Sequence, residues 1–207
     1  MNFNTPLSVL VATGNMGKLQ EIQSILSRLS VVLHSLNEFQ TLVEVEEVGT
    51  SFEENAILKA TGYAAQTGFL TLADDSGLEV ESLNGAPGVL SARYAGDQAS
   101  DSERIAKLLS ELSRKKDVDR RARFVCVIAI ADSNAHVLGT FEGTCEGRIA
   151  ISPQGTNGFG YDPVFIPDGY SETFGLLTRD IKDTISHRGR ALMAASSFLS
   201  ELSDSDA

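Results

Sequence analysis

Six short stretches of this chain carry residue types that can do chemistry on a phosphorylated ligand. The first is Thr13-Gly14-Asn15-Met16-Gly17-Lys18. Its two glycines allow close backbone approach. The start of a following helix would offer free N–H donors to an anion, and Lys18 adds a point charge. The stretch is not a Walker loop, which needs G-x-x-x-x-G-K-[ST], and an ordinary strand-to-helix turn is the alternative. The second is Asp74-Asp75-Ser76-Gly77, read at the C-terminal end of a strand. Adjacent carboxylates repel unless a positive partner is near, and magnesium is a common one; a solvated turn has the same composition. Glu44, Glu46 and Glu47 are either a solvated face or further oxygen ligands for that metal. Asn55 and Lys59 are four apart and share one helix face; they are surface residues or a polar pair facing phosphate. Gly155–Pro163 sets Phe159 and Tyr161 among three glycines, a platform for a stacked base or a loop with its aromatics tucked inward. Finally, Ser186 suits a helix N-cap. His187 and Arg188 then oppose the helix dipole, which points to a ligand that needs them, with Lys182 nearby.

These stretches sit between recognisable elements. Strands are expected at Ser8–Thr13, Val31–Leu36 and Phe69–Ala73, where short apolar runs occur. Helices are expected at Lys18–Leu29, Phe52–Thr67 and Asp101–Leu112, and a last one over His187–Leu202. Thr50 or Ser51 caps the second. Asn84–Gly88 is a turn, Ser113–Arg121 a polar connector, and Phe124–Ala131 with Ala135–Glu142 a hairpin. Ser203–Ala207 reads as a frayed tail. Strands alternating with helices, then a hairpin, give the α/β class with a mixed sheet covered by helices. No linker divides the 207 residues, which fit one domain or two closely joined lobes.

A net charge of −11 opposes binding to a nucleic-acid backbone, which rewards clustered Lys and Arg. A triphosphate can still be held locally by a few cations, N–H groups and a metal. No apolar run approaches the ~18 residues of a membrane span. The opening Met1–Pro6 has no secretory pattern, so a cytoplasmic enzyme is expected. Cys126 lies in an apolar run and reads as a small buried hydrophobe; Cys145 is not placed, and neither demands a disulfide.

Taken together, TGNMGK (Thr13–Lys18), EEVGTSFEENAILKA (Glu46–Ala60), LADDSGLEVESLNGAPGVLSARYAG (Leu72–Gly96), GFGYDPVF (Gly158–Phe165) and KDTISHRGRAL (Lys182–Leu192) resemble the inosine triphosphate pyrophosphatase family, the XTP/dITP diphosphatases. The resemblance runs from Leu10 to Ala194. It implies one domain over residues 1–207, an elongated mixed sheet flanked by helices, with two lobes sharing that sheet and the active site in the cleft between them. It implies a homodimer and Mg2+-dependent hydrolysis of ITP, dITP and XTP to the monophosphate and pyrophosphate. By position, Thr13, Gly14, Asn15, Met16, Gly17 and Lys18 would hold phosphates, with Asn55 beside them. Asp75 would bind magnesium with Glu47 or Glu46 and accept the proton of the attacking water. Lys59 would assist at the phosphates and Ser76 would contact substrate. Phe159 would stack on the base, in a pocket shaped by Gly160, Tyr161 and Asp162. Lys182, His187 and Arg188 would hold the base and its attachments. Rival readings are a pyrophosphatase for modified pyrimidine nucleotides, a nucleotide sensor without hydrolysis, and a switch phosphorylated on Asp75.

Overall fold

The structure, a computed structural model, describes residues 6–115 and 119–205. The element order is β1 (Leu7–Ala12), α1 (Met16–Leu26), β2 (Val31–Ser35), α2 (Phe52–Thr67), β3 (Leu70–Val80), α3 (Asp101–Ser113), β4 (Arg121–Ala131), β5 (Val137–Ile149), β6 (Phe165–Pro167), α4 (Arg179–Ile185) and α5 (His187–Ser205). The strands form one six-stranded sheet in the order β2-β1-β3-β4-β5-β6. β1 runs parallel to β2 and β3, with Val11 opposite Leu72 and Ala12 opposite Ala73. β6 is antiparallel to β5. The sheet is mixed, as the α/β reading expects.

The chain groups into two compact units: residues 1–75, 126–143 and 188–207, and residues 76–125 and 144–187. β3, β4 and β5 each begin in one unit and end in the other. In the first, Val9, Val11 and Leu72 from β1 and β3 pack with Leu19, Ile22 and Leu26 of α1 and Leu192, Ala195 and Leu199 of α5. Side chains alternate across a strand, so Leu10 and Ala12 turn to the opposite face, where α2 lies against β1. α2 presents Ala56, Ala60 and Ala64, all fully buried, at four-residue spacing; small residues let the helix approach closely. In the second unit the core joins Leu78 and Val80 to Ile105, Leu108 and Leu112 of α3 and to Phe124, Phe165 and Phe174. Burying each large apolar side chain contributes about 1.5–3 kcal/mol.

Local signals explain the helix ends. Ser51 accepts from the Glu54 N–H (3.1 Å), and Gly68 closes α2 at φ 69°, where a Cβ would be strained. Ser100 and Glu103 form a capping box at α3. The Asp132 N–H donates to the His136 carbonyl and closes the expected hairpin.

Several boundaries differ from the sequence reading. β3 does not end at Ala73 but continues to Val80, so Asp74-Asp75-Ser76-Gly77 lies inside a strand and not in a turn. α1 starts at Met16, two residues early, because Asn15 caps it. α4 is an additional short helix that ends at Ile185, with Ser186 as its C-cap. α5 continues through Ser203 to Ser205, while the last two residues of the expected tail lie outside the described residues, as does part of the Ser113–Arg121 connector.

Candidate active site

The period-two geometry of β3 separates Asp74 from Asp75. Asp74 falls on the face shared with Leu72, α1 and α5. There its carboxylate pairs with the Lys18 ammonium and, at 3.0 Å, with Nε of Arg188. Arg188 also donates to Glu21 of α1, and the Cys126 thiol donates to Asp74 at 2.9 Å. Two cations thus meet two carboxylates, all largely or fully buried. Burial alone would raise the Asp74 pKa. The Arg188 and Lys18 charges reverse this and hold the carboxyl well below the usual carboxylate range. The Cys126 thiol is pushed far up, by burial first and by the Asp74 charge second.

Asp75 turns to the other face, toward α2. The Lys59 ammonium stands 3.5 Å from Asp75 Oδ1 and 2.9 Å from Glu47 Oε1. One cation therefore serves two carboxylates. Asp75 Oδ2 is buried and has no hydrogen-bond partner among the described residues. Burial raises the Asp75 pKa, and the Lys59 and Lys18 charges offset only part of the shift. Burial would lower Lys59, but the facing Asp75 and Glu47 carboxylates raise it. Of the glutamate doublet, Glu47 is the residue that reaches this pair, whereas Glu44 and Glu46 are exposed.

The stretch Thr13–Lys18 links β1 to α1. The Asn15 side chain accepts from the Lys18 N–H (3.1 Å), and Thr13 Oγ1 accepts from the Asn15 N–H (3.1 Å). Gly14 has open space where a side chain would stand and needs no positive φ, so neither packing nor backbone conformation requires glycine there. Asn55 is fully buried; its Oδ1 accepts from the Gly49 N–H (2.8 Å), while Nδ2 finds no partner among the described residues.

In the second unit, Asp162 Oδ2 accepts from the Phe159 N–H (2.8 Å) and from the buried Lys182 ammonium. The ammonium also stands 4.8 Å from the centre of the Phe159 ring. Gly158 adopts φ 74°, and a Cβ there would lie 1.9 Å from Asp162 Oδ2, so only glycine fits. The Gly160 N–H donates to Asp101 (2.7 Å). Phe159 stays half-buried, whereas Tyr161 enters the core and donates its hydroxyl to the Ser91 carbonyl (3.0 Å). His187 stacks on Phe124, rings 4.5 Å apart and 10° from parallel. Ser76 is half-buried just after Asp75.

The sequence reading placed a ligand, or a metal, wherever charges lacked a partner. Two of those reasons change. The counter-charge for Asp74 is supplied by Lys18 and Arg188, and Arg188 sits at a helix start because Asp74 and Glu21 hold it there. Glu21 was not singled out; Cys126 is buried as its apolar run suggests, but its bond to Asp74 was not expected. Glu21 lies among the apolar residues of α1, and its only sequence signal is its i,i+3 spacing from Lys18.

Among the described residues no three His, Cys, Asp or Glu side chains gather as a ready-made metal cage. Magnesium seldom needs one, since it commonly takes one or two carboxylates plus substrate phosphates and water. Asp75, with an unpartnered buried oxygen, and Glu47, sharing its cation, fit that donor set.

Comparison with known proteins identifies the family. The Ham1 family model matches residues 9–198. The chain is 48% identical over 186 residues to a dITP/XTP pyrophosphatase of Exiguobacterium sp., covering 90% of this chain and 93% of that one. It is 47% identical to a dITP/XTP pyrophosphatase of Desulforamulus reducens, covering 95% and 97%. Among solved structures, a HAM1 protein from Coxiella burnetii superposes with TM-score 0.86 at 45% identity, covering 94% of this chain and 99% of that one. The Staphylococcus aureus Ham1 protein gives 0.83 at 40% identity, with the same coverage. With a family model spanning most of its length and relatives near half identical, the chain belongs to the Ham1 family.

Proposed function

We propose that this protein is a Mg2+-dependent nucleoside triphosphate pyrophosphatase that converts dITP, XTP and ITP to the monophosphate and pyrophosphate, removing deaminated purines from the nucleotide pool. The observation that carries the reading is the Lys59 ammonium between Glu47 and Asp75, with Asp75 Oδ2 left without a hydrogen-bond partner among the described residues. When bound, magnesium supplies charge neutralisation on the phosphate oxygens. Glu47 and Asp75 would hold it. Glu46, the other member of the doublet, is exposed and has the weaker claim.

The remaining chemistry belongs to side chains and backbone of this chain. Phosphoryl transfer is governed by positioning and electrostatics. Lys59 and Lys18 oppose the charge that repels a nucleophile. Thr13, Gly14, Asn15, Met16 and Gly17 place a small, accessible backbone at the start of α1, where N–H donors suit phosphate. Asp75 accepts the proton of the attacking water. Ser76 contacts the substrate beside it, and Asn55 contributes its buried amide donor.

For the base, Phe159 offers a half-exposed ring fixed by Asp162 and Lys182, with Gly160 and Tyr161 shaping the loop. Donors from His187 and Lys182 favour the 6-carbonyl of hypoxanthine or xanthine, while Arg188 is committed to Asp74 and Glu21. Adenine presents an amino donor at that position, and an unsatisfied buried donor costs ~1–3 kcal/mol. No described helix is long and apolar enough to cross a membrane, and the proposed setting is the cytoplasm. The proposed assembly is a homodimer within a single Ham1-like domain per chain, with no nucleic-acid partner.

The test is a panel of ITP, dITP, XTP, GTP, ATP and dTTP with and without Mg2+, reading pyrophosphate against orthophosphate. Pyrophosphate from the first three, abolished by chelation, is expected. Orthophosphate as the product, or turnover indifferent to Mg2+, would overturn the reading.

A further inference from the structure

Residues 43–50, which carry Glu47, form no helix or strand, yet they are tied to α2 at nearly every second position. The Val43 N–H donates to Gln66 Oε1 (2.8 Å), and Gln66 Nε2 donates back to the Val43 carbonyl (3.1 Å). The Val45 N–H makes a long bond to the Tyr63 hydroxyl (3.4 Å). Lys59 holds Glu47 (2.9 Å), Asn55 holds the Gly49 N–H (2.8 Å), and Glu54 holds the Thr50 N–H (2.6 Å). The order is antiparallel: the segment rises as α2 falls. The spacing is matched, because two extended residues advance about 6.6 Å and four helical residues about 6 Å.

Gly62 forms a notch in this row. A Cβ there would lie 2.7 Å from Val45 Cγ2 and 3.1 Å from Cγ1. Glycine in a helix interior costs about 0.5–1 kcal/mol relative to alanine, so helix stability does not explain its presence. The seating of Val45 does. Gly49 is fitted in the same way, with a Cβ meeting Asn55 Oδ1 and Glu54 Cβ at 2.7 Å.

We propose that Gln66, Gly62 and Asn55 are positioning residues that set the register of segment 43–50 on α2 and so place the Glu47 carboxylate at Lys59 and Asp75. None of the three needs to touch substrate for this. The inference rests on the catalytic reading of Glu47, and the experiment separates the two.

Amide hydrogen exchange is measured on the metal-free protein for wild type, Gly62→Ala, Gly62→Ala/Val45→Ala and Gln66→Met. The Mg2+ dependence of pyrophosphate release is measured on the same proteins and on Glu47→Gln. For Gly62→Ala, exchange at Val45 and Gly49 rises about tenfold. The KM for Mg2+ rises by a similar factor, with kcat at saturating Mg2+ changed less than about twofold. The denaturation midpoint does not fall, since alanine favours the helix. The double variant, which clears the contact by shortening Val45, restores both readings. Gln66→Met, which loses the two bonds to Val43 and the bond from Gln66 Nε2 to the Gly62 carbonyl (3.1 Å), shifts both in the same direction by less. Wild-type exchange at Gly49 in Gly62→Ala, or faster exchange with an unchanged KM for Mg2+, overturns the proposal. An unchanged KM for Mg2+ in Glu47→Gln instead overturns the role of Glu47 itself.

Discussion

Asp74 and Asp75 are adjacent in β3 but answer to different cations, Asp74 to Lys18 and Arg188 and Asp75 to Lys59. Their acidities diverge accordingly, one held well below the usual carboxylate range and the other raised. Neighbouring carboxylates with opposite shifts divide the labour: one is a permanent anion in a buried network, the other is able to take a proton.

Asp75→Asn keeps the size of the side chain and removes its basicity. Pyrophosphate release from ITP should fall at least ~10²-fold, the low end for loss of a general base, with the denaturation midpoint little changed. Near-normal turnover would exclude the proton-acceptor role.

Asp74→Ala removes one of the two carboxylates that Arg188 is buried against. Breaking one side of a buried ion pair costs about 3–5 kcal/mol, so a large fall in urea midpoint is expected. The pH dependence follows from the depressed acidity. A carboxylate whose folded pKa is lowered stabilises the fold above its unfolded pKa of ~3.9, and this contribution is lost as pH falls toward the folded value. Stability of the wild type should therefore drop on acidification below about pH 4, and Asp74→Asn should drop less steeply.

Phe159→Ala removes the half-exposed ring beneath Lys182. Loss of base stacking is worth roughly 1–3 kcal/mol, so KM for ITP should rise about 5- to 150-fold while kcat is largely kept. A fall in kcat at constant KM would show instead that the ring serves the chemical step.

Cys126 and Cys145 are both buried and in no disulfide, and the Cys126 thiol is held protonated by burial and Asp74. Reaction with a thiol reagent needs the thiolate and access. Ellman's reagent should titrate neither cysteine in the native protein at neutral pH and both after denaturation. Rapid native labelling of Cys126 would contradict its place beside Asp74.

The sequence alone determined most of the elements and the candidate residues, though not α4 or the full length of β3. Local rules govern both: α2 spans Phe52–Thr67 as its Ser51 cap and closing Gly68 dictate, and the motifs from Thr13 to Arg188 are contiguous strings. Tertiary structure decided the partners. Arg188 meets Asp74 across 114 positions and Glu21 across 167, and no local periodicity encodes contacts at that range. Glu47 stands apart from Glu46 only because segment 43–50 docks on α2 with one register, and Tyr161 turns inward while Phe159 does not because Ser91 receives its hydroxyl. Composition and spacing define which groups are available; which charges neutralise one another depends on distances that exist only after the chain has folded.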